Sequence, residues 1–92
     1  MDPKEILRAQ FMEIVDNQLK SNNPPITRVT LKRLQDEGYI EADAKNLIAA
    51  CVGATVFEVM KKNQPFDEQA YEAMLNRLPE LPGREIDQIN SN

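Results

Sequence analysis

The chain has 92 residues, a net charge of −4, an isoelectric point near 4.8, one cysteine and no histidine. That inventory rules out an intramolecular disulfide, removes the commonest acid/base group near neutral pH, and works against general affinity for phosphate backbones, which depends on clustered Lys and Arg. The length suits a single domain, since a chain of this size buries roughly 60–68% of its unfolded surface and can hold a core without metal or disulfide staples.

In chain order, the first helix is predicted over about residues 3–20. Asp2 serves as its cap, Pro3 takes the first helical position, and Glu5 follows in capping-box spacing. Leu7, Phe11, Ile14, Val15 and Leu19 recur at steps of three and four and form one apolar stripe. Ser21-Asn22-Asn23-Pro24-Pro25 then stops the helix. A second, short helix is expected over about 28–37, with Thr27 as cap, Ile26 stapled onto Leu31, and Gly38 as the stop.

The third helix is expected over about 41–62. Its run from Leu47 to Met60 is interrupted only by Gly53, Thr55 and Glu58. The run falls short of the ~20 apolar residues that a membrane span needs, so a buried central helix is expected and no membrane partner. The fourth helix, about 68–78, starts after Asp67 with Phe66 stapled onto Tyr71, and carries Tyr71, Met74, Leu75 and Leu78 inward before Pro79. Fold class follows: an all-α, small four-helix bundle of two helical hairpins with a hydrophobic third helix at its centre, over residues 1–79. A flexible polar tail is expected over 80–92.

The two halves echo one another. Leu19-Lys20-Ser21-Asn22-Asn23-Pro24-Pro25-Ile26-Thr27 parallels Met60-Lys61-Lys62-Asn63-Gln64-Pro65-Phe66-Asp67 with one residue fewer, and each leads to an Arg-Leu pair, Arg33-Leu34 and Arg77-Leu78. Internal duplication and convergence on one turn chemistry both produce this pattern.

Few residues point to chemistry. Cys51 sits among Ala49, Ala50 and Val52 with no base nearby in sequence, which reads as a small buried hydrophobe. Glu58 is the one charged side chain of the central run. If buried it would need a partner such as Arg8, Lys32, Arg33 or Arg77, and it could then serve a small-ligand carrier or an enzyme. If it faces outward it has no such role. Arg28, Lys32 and Arg33 make the second helix basic and invite comparison with a nucleic-acid recognition helix, but Asp36 and Glu37 follow at once, as on a solvated face.

Ala50, Gly53, Ala54 and Phe57 share one face of the third helix, where small residues permit close approach and Phe57 could fill a pocket. Either the neighbouring helices cover this face, or it binds another protein or a second copy of the chain. The function expected is therefore a non-enzymatic protein-interaction module able to self-associate, with no cofactor, no metal and no catalytic residues.

The run carrying Ala44, Cys51, Gly53 and Glu58, followed by Asp67-Glu68 and Tyr71, resembles a family of small bacterial helical domains of unknown function. The resemblance covers this central portion of the chain and implies a bacterial, cytosolic, helical protein without assigning an activity. Family members carry histidines on the first and third helices, suggestive of a polar or metal site. This chain has none, so that site is not carried over. A cytoplasmic location also follows from the polar start Met1-Asp2-Pro3-Lys4-Glu5, which lacks the apolar run of a signal peptide.

Overall fold

A computed structural model describes residues 2–82 and shows four helices: α1 (Pro3–Ser21), α2 (Pro25–Asp36), α3 (Glu41–Lys62) and α4 (Glu68–Arg77). They form a small all-α bundle. Of the tail expected over 80–92, the part from residue 83 onward lies outside the described residues.

Local chemistry sets most of the helix ends. The Asp2 carboxylate accepts the Lys4 N–H at 3.0 Å and Pro3 opens α1, while the Asp67 carboxylate accepts from Gln69 and Ala70 at the start of α4. Each such cap is worth about 1 kcal/mol. Phe66, just before the Asp67 cap, stacks at a tilt against Tyr71 with ring centroids 5.6 Å apart, so the expected staple forms. α1 and α3 end alike: Asn22 and Asn63 both take the left-handed conformation, at φ 54° and 53°. Gly38 has φ 109° and closes α2 with two backbone bonds, Gly38 N–H to Gln35 and Tyr39 N–H to Leu34. Leu78 is forced into extended backbone by the following Pro79, and α4 stops there.

The start of α2 departs from expectation. Its cap is Pro24, and Pro25 occupies the first helical position, where a missing N–H costs nothing. Thr27 is therefore inside the helix and fully buried rather than capping it, and Ile26 packs against the core from the first turn instead of stapling from outside.

α3 touches each of the other three helices, and α2 also packs on α1 and α4, whereas the main chains of α1 and α4 nowhere approach one another closely. Val15, Leu34, Ile48, Val52, Tyr71 and Leu75 fill the centre. Each fully buried aliphatic side chain there contributes about 1.5–3 kcal/mol through removal from water. α1 crosses α3 where Gly53 has no side chain: a Cβ at Gly53 would lie 2.9 Å from the Phe11 ring. Lys45 adds an ion pair to Asp16 at 2.6 Å between the same two helices. Among the described residues, no helix is long and apolar enough to cross a membrane.

Candidate interaction site

The sequence nominated Ala50, Gly53, Ala54 and Phe57 as one face of α3, and the structure separates them. Gly53 lies under the Phe11 ring and serves the contact between α1 and α3. Ala50 and Ala54 are half-buried. Phe57 is 68% exposed, and Met60, one turn further on, is 76% exposed. Met60 was not nominated. Its position three residues after Phe57 places it beside that ring, and this spacing was available in the sequence. Beyond the Phe11 contact, the end of α3 thus presents an apolar pair to solvent, while Val56 on the adjoining side is half-buried.

The basic face of α2 is largely committed to holding the fold. The Arg28 guanidinium donates to the Leu19 carbonyl at the end of α1. Arg33 donates to the Leu75 carbonyl near the end of α4 at 3.0 Å and pairs with Glu37 at 2.7 Å. Arg28 supplies a donor to a carbonyl in the last turn of α1, and Arg33 adds a second donor to the Leu75 carbonyl, which already accepts the Leu78 N–H at 3.1 Å; Lys32 is the cation of this face with no such bond.

Glu58 is not a buried anchor. Its side chain is 43% exposed and pairs with Lys62 one turn along α3 at 3.1 Å, and none of Arg8, Lys32, Arg33 or Arg77 is its partner. It edges an open cleft of about 210 Å³ with Lys62, Asp67 and Met74, between the end of α3 and the start of α4. Such a surface pair is worth little energetically. Among the described residues, no three Cys, Asp or Glu side chains come together as a metal-binding group.

Cys51 is fully buried, and burial pushes its thiol up to about 12. It is a core residue with no thiolate to offer. Thr55, a turn later, returns its hydroxyl to the Cys51 carbonyl at 2.8 Å.

One polar cluster went unrecognised in the sequence. The Gln18 amide oxygen of α1 accepts from the Thr27 hydroxyl of α2 at 2.7 Å and from the Tyr71 hydroxyl of α4 at 2.8 Å, and the two hydroxyls are 3.1 Å apart. Tyr71 thereby bridges the gap between α1 and α4. Burial raises its phenol above the ordinary value, against the opposing hydrogen bonds of Thr27 and Gln18. A glutamine one turn beyond Ile14 on the flank of the apolar stripe was the available signal, but its partners lie 9 and 53 residues away. A cleft of about 310 Å³ opens beside it, where α1 and α4 fail to meet. Val52 and Val56 of α3 line it with Ile14, Gln18, Asn23, Pro24, Phe66 and the exposed Glu68.

Compared with known proteins, the chain matches no family model, no curated sequence and no solved structure.

Proposed function

We propose that this chain is a non-enzymatic protein-interaction module that docks through the outer face at the end of α3, with a second copy of itself as the simplest partner. The observation that carries this is the pair Phe57 and Met60, 68% and 76% exposed and one helical turn apart on a small acidic domain. Apolar side chains clustered in this way cost solubility unless a partner covers them, and aromatic and Met side chains are the types that enrich binding surfaces. Arg28 and Arg33, held on helix carbonyls, count against nucleic-acid recognition as the main activity, and the exposed Glu58–Lys62 pair counts against a buried carboxylate acting on a ligand. The bacterial, cytosolic setting implied by the family resemblance accords with this role.

Molar mass by light scattering over a concentration series tests the proposal, on the native chain and on a Phe57→Ser, Met60→Ser double variant. Both substitutions lie in solvent and leave the core untouched. Self-association of the native chain that disappears in the variant is the expected result. Association that persists unchanged in the variant would remove these residues from the interface.

A further inference from the structure

The methionines among the described residues stand in different surroundings. Met12 on α1 and Met74 on α4 are half-buried and pack against the core, and the Met74 sulfur lies 3.8 Å from the buried Thr55 hydroxyl. Met60, in the last turn of α3, is 76% exposed, more than any other large apolar side chain among the described residues, and takes no part in that core. A thioether needs no deprotonation to act as a nucleophile, so access decides how fast it meets a peroxide. The one other kind of sulfur in the chain, the Cys51 thiol, is fully buried and held protonated, so it does not compete.

The consequences of oxidation differ as sharply as the exposures. A sulfoxide at Met12 or Met74 would put a polar group among packed apolar side chains and loosen the fold. At Met60 it would stay in water, leave the core as it is, and change only the face that Met60 shares with Phe57. There an apolar contact becomes a strong hydrogen-bond acceptor, which a docking partner would have to strip of water.

We propose that Met60 is a peroxide-sensitive modification site, and that its oxidation to the sulfoxide releases the docking face at the end of α3 while the bundle stays folded. This rests on the docking role proposed above and names its regulation. In the step itself a sulfur lone pair attacks one peroxide oxygen, the S–O bond forms as the O–O bond breaks, and the departing oxygen leaves as water. The sulfide is oxidised and the peroxide reduced. A dithiol-dependent methionine sulfoxide reductase reverses the change, the oxygen leaving as water and the dithiol becoming a disulfide. Association and oxidation are linked, because a second copy seated on Met60 shields its sulfur: the dissociated chain reacts, and its product docks less well.

Hydrogen peroxide is the probe, followed by peptide mass spectrometry and by light scattering. On the folded native chain Met60 should be oxidised before Met12 and Met74, and more slowly as protein concentration rises through the range of self-association. Oxidation at Met60 should leave the circular dichroism spectrum and the Tm unchanged at a dilution where the chain is monomeric. Self-association should become about tenfold weaker, and methionine sulfoxide reductase with dithiothreitol should restore it. A Met12→Leu, Met74→Leu variant should respond to peroxide as the native chain does. Met60→Leu, whatever its own starting affinity, should show the same self-association before and after peroxide. Oxidation of Met12 or Met74 as fast as Met60, or association that survives full conversion of Met60, overturns the proposal. So does a peroxide response that persists in Met60→Leu. A native chain that stays monomeric before any peroxide is added refutes the docking role and the switch with it, whereas the order of oxidation still decides whether Met60 is the modified site. The two failures are thus separately visible, one by scattering and the other by mass.

Discussion

The Phe11 ring occupies the space above Gly53 that any side chain there would need, at 2.9 Å from the position of a Cβ. α1 and α3 therefore cross at a point chosen by a missing side chain, and the identity of residue 53 controls the distance between the two helices.

Gly53→Leu should force the Phe11 ring aside and destabilise the protein by about 1–3 kcal/mol, the usual cost of overpacking. Phe11→Ala in the same chain should recover part of that loss. A double-mutant cycle from urea denaturation checks the coupling, and strictly additive effects would mean that the two residues do not compete for the same space.

Tyr71→Phe removes one member of the Gln18, Thr27 and Tyr71 cluster and should cost about 1 kcal/mol, with a fall in Tm of about 4–8 °C for a domain of this size. Thr27→Val should cost a similar amount, and the two together less than their sum, because each leaves the same glutamine oxygen short of a donor. Thermal denaturation followed by circular dichroism supplies the numbers.

Burial raises the Cys51 thiol from 9.0 to about 12. Its folded value lies above its unfolded one, so the stabilisation it gives is fully present below pH 9.0 and is lost as pH rises toward about 12. The slope can reach about 1.4 kcal/mol per pH unit inside that window. Tyr71, raised by burial as well, adds a loss of the same sign from its ordinary value of 10.0 upward. Urea melts above pH 9 should show the decline, and Cys51→Ala should flatten it. The native thiol should also resist alkylation at pH 8 until denaturant is added.

Arg33 makes two contacts that substitution can separate. Glu37→Gln removes only an ion pair whose side chains are 35% and 42% exposed, and should change stability by no more than about 0.5 kcal/mol. Arg33→Gln also removes the guanidinium bond to the Leu75 carbonyl, leaving it only the Leu78 N–H, and should cost about 1 kcal/mol, with faster amide exchange concentrated in α4. Equal effects of the two changes, measured by denaturation and hydrogen exchange, would contradict a role for Arg33 in holding α4.

The parts of the fold that were legible in the sequence are those decided by neighbours along the chain. Asp2, Asp67, Gly38 and the Phe66–Tyr71 staple all act within a few residues, and the starts of α1 and α4 and the end of α2 follow from them. Thr27 misled because a threonine after two prolines makes as good a cap as a proline makes a first helical residue. The contest was settled by Gln18 and Tyr71, 9 and 44 residues distant. Gly53 raised the same difficulty in reverse: its small size correctly marked a close approach, but whether Phe11 or another molecule made that approach depended on how α1 crosses α3. The tie from Glu58 to Lys62 is a one-turn spacing that the sequence did contain, obscured by attention to arginines further away.

Gly38 stands at the seam between the hairpin of α1 and α2 and that of α3 and α4, with no neighbouring atom within 4 Å of where a side chain would begin. A graft placed after it would extend into open solvent while the ends it joins stay anchored by their own helices, and lengthening a connection already closed costs only about 0.6 kcal/mol per doubling. The seam is thus where a foreign loop should be accepted, which would allow the molecule to be labelled or tethered between its two hairpins.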